Sequence, residues 1–450
     1  MQATAAYMDT GPKTETNFLT SRSVKCVNGP PDGSKTTADG DRAVVVAVIA
    51  STFFVGFGGG VVFPILPNLG AVLGISPFLV GLILSANRFT RLVANAPAGT
   101  LVDRAGTRTP FVVGLTVQGV ATAGYIVAVN SGAPAAWFLL ARVAWGIGSA
   151  MVFATAYTIA ADVSDGGTRG TNMGLIRGGV IFGFPTGLVV GGIVSEFYGT
   201  VAAFVVATVF ALFASLLAYL LVPETHVEGD PRESVRPWDV DTSLPALTVG
   251  TVNFTVGFAY IGVVFATLVL FLKTNDISVL GLDAQGSSGV FMAVTVVSAA
   301  VFMFLGGYVS DQSGRRMPTL LTFLVVTFVG LSLFAVASSV PVLSLACVLV
   351  GAGQGGTSGP LMALLADLTP DERMGRAMGT NNVFGDVGGG LGPMVSLPLV
   401  DSVGFLPVYA ACAVLPLAAG GLLVVGIYRE TGELSPRVER PRGGTENLSD

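Results

Sequence analysis

Histidine is almost missing from this chain: one residue, His226, in a charged and proline-broken stretch. With three cysteines (Cys26, Cys347, Cys412) at no metal-ligand spacing, that shortage removes a zinc centre, and no other metal or cofactor is expected. Cys347 and Cys412 lie in apolar runs and read as small core residues rather than as a disulfide. Charge is scarce too, at 11% of residues against about a quarter in soluble proteins. No Gly-x-x-x-x-Gly-Lys loop is present, so ATP hydrolysis is not expected to drive the protein. Paired carboxylates and nucleophile–histidine arrangements are lacking as well, which argues against an enzyme. The 60 glycines follow no three-residue period, so a collagen-like chain is excluded. A net charge of −5 gives no footing for a nucleic-acid partner.

What is abundant is apolar sequence. Hydrophobic residues make up 52% of the chain and the mean hydropathy is +0.73, so in water this surface would have nowhere to go. A bilayer accepts it in spans of roughly twenty residues. The runs fall at 43–66, 77–98, 110–129, 135–160, 172–195 and 200–222, then at 245–271, 285–308, 318–338, 341–366, 377–399 and 403–427. Residues 1–42 are polar and predict a disordered tail, residues 223–244 a linker, and residues 428–450 a second polar tail. The expected fold is an all-α membrane protein with six spans in 43–222 and six in 245–427. With both termini inside, tails and inner loops hold 18 of the 23 Lys and Arg residues and only Lys273 faces out. The positive-inside rule therefore puts both termini in the cytoplasm and the chain in the cytoplasmic membrane.

The two sets of spans repeat one another. Gly99-Thr-Leu-Val-Asp103-Arg104-Ala-Gly106-Thr-Arg108-Thr-Pro110, a charged link after the second run, returns as Gly307-Tyr-Val-Ser-Asp311-Gln-Ser-Gly314-Arg315-Arg316-Met-Pro318 after the eighth. Arg142-x-x-x-Gly146-x-Gly148 matches Cys347-x-x-x-Gly351-x-Gly353, Ala161-Asp162 matches Ala366-Asp367, and Gly170 and Gly174 match Gly375 and Gly379. The offset stays between 205 and 208 residues, as two equivalent six-helix halves require.

These motifs resemble the major facilitator superfamily, whose best known signature is the link between the second and third helices of each half. The resemblance implies twelve helices in two parallel repeats, a central cavity and transport by rocking of the halves. It implies that Asp103 tethers the inner helix ends when the cavity opens outward, with Gly99, Arg104, Gly106, Arg108, Gly307, Asp311, Gly314, Arg315 and Arg316 completing the switch links. Gly183-Phe-Pro185-Thr-Gly187, with Gly191-Gly192 following, is similar to the fifth-helix motif of the drug:proton antiporters, Gly-Pro-x-x-Gly-Gly, although Phe184 separates the first Gly from Pro. Arg142, by the same resemblance, is a cavity arginine involved in proton coupling.

Read without it, Arg142 is a guanidinium inside a span that must face protein or water, and a clamp on helix carbonyls serves equally well. Arg88 and Arg91 share a face of the second span; Arg91 lies nearer the inner surface and can snorkel, as can Arg177, whereas Arg88 is too deep. Asp386 is the one carboxylate deep in any span. It can take protons, bind a cationic group or neutralise an arginine in a fixed pair. Four buried arginines against one acid tilt the cavity positive, which either favours an anionic or polar substrate or holds a proton-binding Asp low, so the sequence does not name the substrate. Glycines in the fifth and eleventh spans mark close helix seams or helices that slide. The expected activity is secondary transport of a small solute by a monomer, with protons as coupling ion and export as direction. The alternatives are uncoupled or symport movement of a polar or anionic metabolite, or a receptor built on the same fold.

Overall fold

The computed structural model describes residues 38–162, 169–225 and 240–436. The tails predicted at 1–42 and 428–450, the middle of the linker and His226 lie wholly or largely outside them, as does the side chain of Arg177. The first half contains α1 (Ala38–Val61), α2 (Pro77–Ala105), α3 (Arg108–Val129), α4 (Pro134–Asp162), α5 (Arg169–Tyr198) and α6 (Thr200–Leu221). The second contains α7 (Leu244–Thr274), α8 (Ala284–Ser313), α9 (Arg316–Val336), α10 (Val340–Leu368), α11 (Met374–Val403) and α12 (Phe405–Thr431). The fold is all-α, a twelve-helix membrane protein made of two repeats. Eleven of these helices are long and apolar enough to cross a membrane by composition. The twelfth, α2, has 29 residues but carries Arg88, Arg91, Asp103 and Arg104, and its burial comes from packing on α4 and α11.

Local chemistry shifts several boundaries. The helix α1 breaks at Pro64, which supplies no backbone N–H, and resumes as a short helix, Leu66–Val72. The sequence places Gly99 to Arg104 and Gly307 to Asp311 in links, but both stretches are helical. Nothing in them disrupts a helix before the left-handed glycines Gly106 (φ 79°) and Gly314 (φ 61°), so each link shrinks to two residues. Beyond the first, the Glu224 carboxylate accepts hydrogen bonds from the Thr107 N–H (2.7 Å) and the Arg108 N–H (3.3 Å). A carboxylate at that helix start meets unpaired N–H groups and the positive end of the dipole.

Glycine sets how closely the helices approach. A Cβ on Gly183, Gly187 or Gly191 would stand 2.0 Å from the Phe53 carbonyl oxygen, 2.1 Å from that of Phe57 and 2.6 Å from the Val61 Cα. The three-glycine stripe of α5 is thus the seam with α1, and Pro185 sits inside the helix between its first two members. The repeat makes the same seam between α7 and α11: a Cβ on Gly388 would lie 2.2 Å from the Phe254 oxygen, and one on Gly392 2.2 Å from the Gly262 Cα. There α7 widens into a π-helical stretch, Phe258–Phe265. Gly146 and Gly351, paired by the repeat, both face the neighbouring helix two positions back in the chain, at Asn87 and Thr295.

The halves touch at one end and near the middle. Asn68 donates to Gln285 (3.4 Å) and Lys273 to Asn68 (3.4 Å) at the end away from the Gly106 and Gly314 turns. Gly81 lies against Pro393 and Gly289 against Leu188. Ser85 donates to the Gly390 carbonyl near the middle. Among the described residues the hydrogen bonds that join the halves lie at that end and near the middle.

We expect Gly187→Ala to lower the melting temperature of the purified protein, because overpacking costs about 1–3 kcal/mol. Gly178→Ala on the same helix, where a Cβ meets nothing within 4 Å, should melt with the wild type. Thermal unfolding followed by size-exclusion chromatography compares them, and equal midpoints for all three would show that the seam tolerates a methyl group.

Candidate functional site

Between the halves lies a cavity of about 300 Å³ walled by α1, α2, α4, α5, α7 and α8. Its walls are mostly apolar and aromatic, including Phe63, Trp145, Phe184 and Tyr260, and its polar groups are Asn87, Arg88, Arg91 and Arg142. The three arginines arrive from two helices that Gly146 lets come together.

Arg142 is 1% exposed. Its Nε donates to the Ile83 carbonyl (3.1 Å), and its Nη2 to the Leu84 carbonyl (2.9 Å) and to Asn87 Oδ1 (3.0 Å). The guanidinium thus clamps α4 to α2 through carbonyl dipoles, and it has no carboxylate partner among the described residues. Cys347 occupies the equivalent place in the second half, fully buried and without a charge to satisfy.

Asp386 is met by α2 rather than by α4. Arg88 Nη1 stands 3.3 Å from its Oδ1, and Arg91 Nη2 pairs with the same oxygen. The sequence allows Arg91 to snorkel; the structure instead turns it to this carboxylate, because the acid from the other half lies within reach. Glycine makes the contact possible: a Cβ on Gly389 would lie 3.2 Å from Arg88 Nη1, and one on Gly390 2.9 Å from the Phe89 ring. The glycine run of α11 therefore admits α2 on one face while Gly388 and Gly392 admit α7 on another. Arg88 and Asp386 come together and Arg142 stands apart, its charge acting on Arg88. The side chains of Arg88, Arg91 and Asp386 are 19%, 24% and 15% exposed, so the pair is partly rather than fully enclosed. Three guanidiniums against one carboxylate leave a surplus of two positive charges.

Two contributors were not singled out from the sequence. Asn87 supplies a side-chain acceptor to Arg142, and Ser85 bridges to α11. Their spacing from Arg88 and Arg91 on the polar side of α2 is the only signal for them. The switch links, by contrast, sit far from the cavity and differ from each other. Arg316 pairs with Asp311 and, at 3.1 Å, with Asp367. Its counterpart Arg108 donates to the Tyr219 carbonyl (2.8 Å) and lies over the Tyr219 ring. Asp103 is exposed, with no hydrogen bond or ion pair among the described residues.

The sequence profile of the Major Facilitator Superfamily matches residues 48–393 and 285–448. The chain belongs to that superfamily, and its work is secondary transport of small molecules across a membrane. Over 393 residues it is 24% identical to an uncharacterized MFS-type transporter of Methanocaldococcus jannaschii, covering 86% of this chain and 98% of the relative. Over 373 residues it is 25% identical to the multi-drug resistance efflux pump PmrA of Streptococcus pneumoniae, covering 80% of this chain and 90% of the pump. The fold is shared with a bacterial homolog of the human lysosomal transporter Spinster in its inward-facing and occupied conformation, at a TM-score of 0.73 and 15% identity, over 90% of this chain and 99% of that one.

Arg142→Lys keeps the charge but cannot reach Ile83, Leu84 and Asn87 together. We expect a lower melting temperature, since each lost hydrogen bond to a charged group is worth about 1.5–3 kcal/mol. A variant that melts with the wild type would show that the clamp does not support the contact between α2 and α4.

Proposed function

We propose that this protein is a proton-coupled secondary transporter with Asp386 as the coupling group. One observation carries the reading: the Asp386 carboxylate of one half holds Arg88 and Arg91 of the other, and both arginines line the cavity. Protonation removes the negative charge, breaks the pair and loosens α2 from α11. A proton site whose occupancy alters the contact between the halves biases which end is open.

The distribution of Lys and Arg supports cytoplasmic termini, which makes the end carrying the Gly106 and Gly314 turns the cytoplasmic one; the joints between the halves at the other end and near the middle support an inward-open state. Asp103 then lies exposed at the open end, available to tether the inner helix ends when they close. Export is the direction supported by the likeness to the pneumococcal efflux pump and by that of Gly183-Phe-Pro185-Thr-Gly187 to the antiporter motif. A second reading, symport of an anionic metabolite, is favoured by the surplus positive charge.

Two measurements test this. For orientation, a cysteine at Ser278, on an exposed turn at the closed end, should react with an impermeant thiol reagent in intact cells, and one at Ser449 should not; the reverse pattern inverts the topology. For coupling, Asp386→Asn in proteoliposomes should retain counterflow exchange and lose accumulation driven by a pH gradient. Driven accumulation at the wild-type level would remove Asp386 from the coupling role, and a variant that does not fold favours a static ion pair.

A further inference from the structure

The charges around the cavity do not balance, and the imbalance has a direction. Arg142 is engaged with carbonyl groups, so its charge is solvated but not neutralised. Arg88 and Arg91 share one carboxylate, and both address the same oxygen, Oδ1. Each guanidinium therefore keeps donors to spare, in a fork that matches a carboxylate. Around these donors stand Phe63, Trp145, Phe184 and Tyr260, an apolar aromatic wall for a cavity of about 300 Å³. That size suits a small one- or two-ring molecule.

We propose that the cavity binds a small organic anion with an apolar ring body, that its carboxylate takes the Arg88–Arg91 pair from Asp386, and that Asp386 accepts a proton as it is displaced. Anion and proton then bind together, each favouring the other, since a protonated Asp386 no longer competes for the arginines. A cationic substrate would do the opposite, pairing with Asp386 and expelling its proton. The groups facing Asp386 are few. From α2 come Arg88 and Arg91, and from α4 comes Arg142, acting through Arg88. Tyr260 of α7 completes the cavity wall. Within α10, Asp367 pairs with Arg316 and Cys347 lies beside Thr295; within α12, Tyr409 bonds Thr267 and Cys412 is a buried thiol. The proposal rests on the second transport reading, symport of an anion, rather than on export in exchange for protons, and takes this cavity as the substrate site.

The test is calorimetry on the purified full-length protein with 1-naphthaleneacetate, its neutral amide and 1-naphthylmethylammonium. The acetate should bind about tenfold or more tighter than the amide, the worth of a charge-assisted hydrogen bond. Its affinity should fall as pH rises, by up to about tenfold per unit. Buffers of different ionisation heat should show protons taken up on binding. Asp386→Asn should bind the acetate more tightly and without pH dependence, and Arg91→Gln should bind it more weakly. Should Asp386→Asn not fold, proton uptake by the wild type decides alone. Tighter binding of the ammonium, no preference for the acetate, or proton release on acetate binding overturns the proposal. Because the readout is binding, a failure of gradient-driven transport in liposomes would count against the transport reading and leave this site intact.

Discussion

A guanidinium inside a membrane has to be answered by dipoles, by an acid or by water, and this protein uses all three within one cluster. Arg142 is answered by two helix carbonyls and an amide, and the answer is rigid because both helices are fixed by packing. Arg88 and Arg91 are answered by Asp386, an acid that belongs to the other half. Breaking a buried pair by removing one partner is costly, because it leaves a charge uncompensated. The difference separates a joint within a half from a joint between halves.

The glycine seams supply the rigidity that this arrangement needs. In lipid there is no hydrophobic drive to hold helix against helix, so close backbone approach has to do it. The α1–α5 and α7–α11 seams bring each half together as a body, with carbonyl oxygens set where a side chain would otherwise stand. The two bodies meet at the α2–α11 contact, through the polar groups of Ser85, Arg88 and Arg91.

Equivalent sequence does not mean equivalent state. Asp311 and Arg316 are paired while Asp103 and Arg108 are apart, although the repeat aligns them. In the first half Glu224 takes the start of α3, and Arg108 turns to Tyr219. The two links therefore have different partners in one and the same structure.

Much of this protein was legible before any coordinates. Hydropathy and the offset of 205 to 208 residues determined twelve helices in two repeats, since lipid admits no backbone without internal hydrogen bonds and a repeat must fold alike twice. The isolation of Asp386 and the crowd of arginines were equally plain, being matters of count. Only the tertiary structure decided who meets whom. That Asp386 takes Arg88 and Arg91 while Arg142 takes carbonyls depends on the rotation of α11 against α2, and Gly389 sets that approach with no trace of its partner in the local sequence. The extent of the switch links was misjudged for a related reason: charged residues read as a loop, yet a helix end projecting past the apolar core carries charge without unwinding, and the glycine with positive φ is what stops it. Periodicity and composition report what each helix tolerates; which neighbour satisfies it is settled by packing between segments some three hundred residues apart.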